Sequence, residues 1–156
     1  MFPENFLTLD RISLKSGAGS KKRILEETGA LLASAIPGLT SEQVFDKLLE
    51  RERLGSTGLG QGIALPHARI EGVETACGAL IRLQPGVDFD AMDDKAVDIV
   101  FGLMVPQQAT EEHLQLLAKL ATLFSNEKFC TRLRAIDNSR EMLELIYHFE
   151  GLTENT

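Results

Sequence analysis

Four of the eight residues from Gly55 to Gly62 are glycine, and no helix is expected to continue through such a stretch. It sits inside LERERLGSTGLGQGIALPHA, residues 49–68, between an expected helix end and the short apolar run Ile63-Ala64-Leu65, which stops at Pro66-His67. Glycine takes φ > 0 freely and lets a ligand approach the main chain, so backbone N–H groups in such a loop can converge on an anion. Proline restricts the backbone before His67 and so fixes where its ring points. An imidazole at the mouth of an anion cradle can serve as a nucleophile or an acid/base, which suggests phosphate chemistry.

The loop does not fit the commoner phosphate motifs. A Walker loop needs Gly-Lys-Ser/Thr, but Gly60 is followed by Gln61. The dinucleotide fingerprint fails too, because GLGQGI lacks its last glycine and the strand–loop–helix order. Ser56 is not in a G-x-S-x-G elbow, and Asp88, Asp90, Asp93 and Asp94 lack the glycine and bidentate glutamate of a calcium loop. No nucleotide, cofactor or metal site is expected.

Around the loop, periodicity places a half-buried strand over Leu7–Leu14 and a helix after Ser20, which Pro37-Gly38 ends. A second helix starts at a Thr40/Gln43 capping box and carries Val44, Phe45, Leu48 and Leu49 on one side until Gly55. Strands are expected over Ala76–Leu83 and Val97–Val105, with turns at Pro85-Gly86 and Asp93-Asp94 between them. The last third reads as helices: residues 110–124, a stretch with Phe129, Leu133 and Ile136, and one opening at an Asn138/Glu141 box. The tail GLTENT is expected to fray. This order suggests one α/β domain, a sheet with helices on both faces.

A formal charge of −7 argues against a nucleic-acid surface while leaving room for a basic protein partner. No run reaches the roughly 18–20 apolar residues of a membrane span. The first residues, MFPENFLTLDRISL, do not read as a signal peptide. Cys77 and Cys130 lack metal spacing and read as buried thiols, so a reducing, cytoplasmic setting is expected.

Two more groups are candidates for the site. His113 falls near the start of the 110–124 helix, which Thr110 is expected to cap, where it reads as readily as a solvated residue. His148 reads as surface or packing. Arg51 and Arg53 end the second helix and complement its dipole, yet either guanidinium could also reach an anion at the loop.

R-E-R-L-G-S-T-G-L-G-Q-G-I-A-L-P-H resembles the active-site signature of the type-2 enzyme IIA domains of the bacterial phosphoenolpyruvate:sugar phosphotransferase system. Within these the chain is most similar to the nitrogen-regulatory IIA group. The likeness runs over about residues 7–150 and includes GVDFDAMDDKAVDIVFGLMVP at 86–106 and the HLQLLAKLA helix from His113. Ala68 departs from the glycine that many members carry after the histidine.

The resemblance implies a three-layer α/β/α sandwich on a mixed central sheet, formed by a single domain spanning 1–156. It makes His67 the phosphorylated residue, through Nε2, with His113 as the second active-site histidine and Arg51 as the arginine opposing phosphate charge. Ser56, Thr57, Gly58, Gly60 and Gly62 would hold phosphate oxygens. The donor would be an HPr-like phosphocarrier, and the phosphorylation state would control regulatory targets such as a potassium transporter or a sensor kinase. Two other roles stay open: a sugar-transport IIA passing phosphate to a IIB domain, and a binding module that does not depend on phosphorylation.

Overall fold

In the computed structural model, which describes residues 2–108 and 110–154 apart from the side chains of 110 and 150–154, the apolar run Val97–Pro106 lies at the centre of a mixed six-stranded sheet. The strands in chain order are β1 (Ile12–Ser16), β2 (Gly58–Gly60), β3 (Ile63–Ala64), β4 (His67–Ile70), β5 (Cys77–Val87) and β6 (Val97–Pro106). The helices are α1 (Lys21–Ala33), α2 (Ser41–Arg53), α3 (Thr110–Phe124), α4 (Glu127–Ala135) and α5 (Ser139–Glu154). Across the sheet the order is β1-β5-β6-β3-β2, with β4 also paired to β6. β1–β5, β3–β6 and β4–β6 are parallel, while β2–β3 and β5–β6 are antiparallel.

β6 is buried without interruption from Ile99 to Val105, because both faces of the sheet are covered. On one face α1 and α2 pack Ile24, Leu25, Leu32, Val44 and Leu48 against Ala79, Ile81, Val100 and Met104. On the other, α3, α4 and α5 bring Leu120, Phe124, Phe129, Leu133, Met142 and Ile146 against Leu80, Phe101 and Leu103. This is the expected three-layer arrangement. α1 approaches β6 so closely that a Cβ on Gly102 would lie 2.2 Å from Thr28 Cγ2.

Helix starts follow the caps written in the sequence. Ser20 Oγ accepts from Arg23 N, and Thr40 and Gln43 form the reciprocal capping box. Asn126 caps α4, and Asn138 Oδ1 accepts from Glu141 N at the start of α5. The expected Thr110 cap falls outside the described side chains. α5 runs on through Gly151–Glu154, where fraying is expected, and residues 155 and 156 lie outside the description.

Three further expectations are corrected. The strand expected over Leu7–Leu14 begins only at Ile12, after a single 3-10 turn at Leu9–Arg11. Arg11, in that turn, is buried and donates to the carbonyls of Asn5, Phe6 and Gly78. Pro85-Gly86 makes no chain reversal; it lies inside β5, where the register against β6 shifts between Arg82 and Val87. Gly58–Gly60, expected as loop, is a strand because it pairs with β3, and His67–Ile70, beyond the point where the apolar run was expected to stop, is a strand because it pairs with β6.

Candidate functional site

β3 and β4 lie end to end along one edge of β6. Ile63 faces Ile99, Ala64 faces Val100 and His67 faces Leu103, so a constant offset carries across the Leu65-Pro66 interruption. At the interruption Leu103 N donates to the Pro66 carbonyl at 2.9 Å, a ladder position that asks nothing of the missing proline N–H. Along β4 the side chains alternate: Ala68 and Ile70 are buried, whereas His67 is half-buried and Arg69 exposed on the opposite side.

His67 Nδ1 lies 2.8 Å from the Leu65 carbonyl oxygen. That oxygen can only accept, so Nδ1 carries the proton and the Nε2 lone pair is left available. The ring borders an open cleft of about 710 Å³ between α2, β4 and the start of α3, lined among others by Arg51, Leu54, Arg69, His113 and Leu114. The His113 ring stands edge-on to His67, with centroids 5.3 Å apart and planes at 88°. Arg51 sits on the α2 wall, where its Nη1 donates to the Gly55 carbonyl at 2.9 Å.

Both imidazoles are held neutral. Burial lowers the His67 pKa; the Leu65 carbonyl and Glu52 oppose the shift and Arg51 adds to it. His113 is pushed down to about 4, by burial first and then by His67, Arg69 and Arg51. Among the described residues Lys47, Arg51 and Arg69 line the cleft against one carboxylate, Glu50, so a chain of net charge −7 presents a locally cationic surface here.

The structure therefore brings His67, His113 and Arg51 together, and leaves the glycine loop apart. None of Ser56, Thr57, Gly58, Gly60 and Gly62 lines the cleft. The hydrogen bonds of Ser56, Thr57 and Gly58 run within the fold. Thr57 gives both N–H and hydroxyl to the Glu52 carboxylate, at 2.9 and 2.6 Å. Gly58 N donates to Ser56 Oγ, which itself donates to the Phe89 carbonyl. Gly60 and Gly62, at φ +92 and +86, flank Gln61 in the tight β2–β3 reversal, so their conformational freedom serves the turn. Arg53 is exposed and lies outside the cleft lining, as does His148 on α5.

Two residues of this region carry no simple sequence signal. Glu52 is buried beneath the loop, accepting from Thr57 and pairing with Lys21 Nζ at 2.9 Å. The buried positions Val44, Leu48 and Glu52 follow one another at four-residue spacing, which marks Glu52 as an inward carboxylate once α2 is drawn to its end. Arg69 becomes legible only when His67 is known to begin a strand, since residues two apart then share a face.

The family model described as "Phosphoenolpyruvate-dependent sugar phosphotransferase system, EIIA 2" matches residues 5–149. The chain is 40% identical over 143 residues to a nitrogen regulatory protein of Pseudomonas aeruginosa, covering 92% of this chain and 93% of that relative. Its fold superposes on the crystal structure of nitrogen regulatory protein IIA-Ntr from Neisseria meningitidis with a TM-score of 0.85 and 46% identity, covering 90% of this chain and 95% of the other. The IIA mannitol structure from Escherichia coli aligns with a TM-score of 0.74 and 27% identity, over 89% of this chain and 97% of that one.

Proposed function

This chain belongs to the EIIA 2 family of the phosphoenolpyruvate-dependent sugar phosphotransferase system, and from that membership we propose that His67 accepts a phosphoryl group through Nε2 from the phosphohistidine of an HPr-like carrier. The observation that carries this reading is the Nδ1–H bond to the Leu65 carbonyl, which leaves a neutral Nε2 nucleophile in a cationic cleft beside His113.

In the transfer, the Nε2 lone pair forms a bond to phosphorus as the donor P–N bond breaks. The electron pair of the broken bond returns to the donor ring, which leaves as a neutral imidazole because its other nitrogen is protonated. His67 becomes the phosphoimidazolium and keeps its Nδ1 proton against the Leu65 carbonyl, which offsets the positive charge gained by the ring. No proton has to move between the partners. Arg51 opposes the added charge of about −1.5 to −2, borrowing the value for other phosphoresidues. His113, neutral beforehand, orients the group by hydrogen bonding. The glycine loop acts indirectly, by fixing the end of α2 that carries Arg51.

The phosphorylation state of His67 then governs binding to regulatory targets in the cytoplasm, of the potassium-transporter or sensor-kinase kind. The likeness to proteins named for nitrogen regulation supports this role. The likeness to a mannitol IIA structure favours a second reading, transfer onward to a sugar transporter's IIB domain.

Intact mass separates these readings, using wild type and His67→Ala incubated with phosphoenolpyruvate, enzyme I and the carrier. An acid-labile adduct on wild type alone is expected. Adduct on both proteins, or on neither while a known IIA is phosphorylated in the same mixture, sinks the assignment of His67. Discharge of the adduct to a purified IIB domain would move the role to sugar transport.

A further inference from the structure

We propose that Arg69 is a second phosphoryl-binding residue of the cleft, gripping the phosphoryl oxygens together with Arg51. The proposal rests on the reading of His67 as phosphoryl acceptor, and three observations support it. β4 places Arg69 two residues beyond His67 on the same face, so its guanidinium opens into the cleft that both histidines line. Its field bears on His113 more than that of Arg51 does, whereas Arg51 is the arginine that bears on His67. Arg51 thus acts on both rings and Arg69 on His113, and both arginines line the one cleft.

The third observation is that the two guanidiniums differ in what is already bound to them. Arg51 is tethered through Nη1 to the Gly55 carbonyl. The Arg69 guanidinium has no hydrogen bond or ion pair with any described residue, and Glu50 is the one carboxylate among the described residues of the cleft lining. A phosphoryl group carried on His67 offers three acceptor oxygens, and a guanidinium fork pairs with two of them at a time. The free fork of Arg69 supplies the geometry for a bidentate partner.

The test compares wild type with Arg69→Gln and Arg69→Lys, and uses Arg53→Gln as a surface-charge control. Each protein is phosphorylated both by the carrier and by phosphoramidate, a donor without a protein surface whose P–N bond breaks to release ammonia. Arg69→Gln is expected to slow both reactions by about ten- to a hundredfold, the range for hydrogen bonds to charged groups. It should also shorten the life of the phosphohistidine. Arg69→Lys should recover part of the rate, as a point charge without the fork, and Arg53→Gln should match wild type. An undiminished rate with phosphoramidate overturns the proposal, and slowing with the carrier alone would assign Arg69 to protein docking instead.

Inorganic phosphate titrated into the unphosphorylated protein, followed by the His67 and His113 imidazole resonances, gives a readout independent of transfer. Weaker phosphate binding in Arg69→Gln than in Arg53→Gln supports the proposal, and equal binding overturns it. Were wild type to accept no phosphoryl group from either donor, the functional reading would fall while this titration still decided the role of Arg69.

Discussion

Arg51 is anchored by one amino group to the Gly55 carbonyl, so its position depends on the main chain that follows α2 as much as on the helix itself. Arg51→Ala should lower phosphoryl acceptance by about ten- to a hundredfold and hasten loss of the phosphoryl group, followed as decay of the acid-labile adduct. If Arg53→Ala does this instead, the wrong guanidinium has been assigned. His113 stands edge-on to the acceptor ring and is only half-buried, so His113→Ala should slow transfer without unfolding the domain. Circular dichroism checks the fold, and unchanged rates would reduce His113 to a helix-start residue. At this scale the sequence was informative where a residue's neighbours in the chain define its role. Pro66-His67 is such a case. The role of Arg69 depends on pairing between β4 and β6, and that of Glu52 on Lys21 in α1, so neither could be read locally.

The elements meet through a few contacts that tolerate little change. Gly102 lets α1 rest on β6, with Thr28 Cγ2 in the space a Cβ would occupy. Gly102→Ala should therefore cost about 1–3 kcal/mol in urea unfolding. Thr28→Ser, which removes that methyl and keeps the hydroxyl bonded to the Ile24 carbonyl, should relieve much of the cost in the double variant. Glu52 ties the end of α2 to both α1 and the loop. Glu52→Ala should cost about 3 kcal/mol, the low end for breaking a buried pair, because the Lys21 side chain is 22% exposed. Glu52→Gln, which can still accept from Thr57, should cost less. The helices were legible from caps and apolar stripes, as α2 and its capping box illustrate. The short strands β2 and β4 were not, because three glycine-rich residues or four mixed ones acquire strand character only from a partner far along the chain.

Taken whole, the molecule keeps two neutral imidazoles in a cationic pocket on an acidic chain, and this links its stability to pH. In the unfolded chain His113 titrates near 6.5, but in the fold it does so at about 4. Above 6.5 both forms are neutral and no difference arises. As the pH falls from 6.5 to 4, the unfolded chain takes up a proton that the folded one refuses, and stability declines. The lowered pKa of His67 acts in the same direction. The urea midpoint should therefore drop between pH 7 and pH 5, and drop less in His113→Asn. An identical drop in both proteins would deny His113 its share. The three-layer plan was visible in the order of elements, since a strand as apolar as β6 needs cover on both faces. The position of the cleft was not, because it depends on how the start of α3 returns over β4.

The bond from His67 Nδ1 to the Leu65 carbonyl has a consequence for regiochemistry. Any electrophile that enters the cleft, whether a phosphoryl donor or an acylating reagent, finds one ring nitrogen masked and adds to the other. The mask is a peptide oxygen two residues upstream, held by strand geometry. Exchanging the side chain of Leu65 leaves that oxygen in the chain. Which isomer of modified histidine forms is thus set by the main chain, and the preference should persist through variants that abolish the rate.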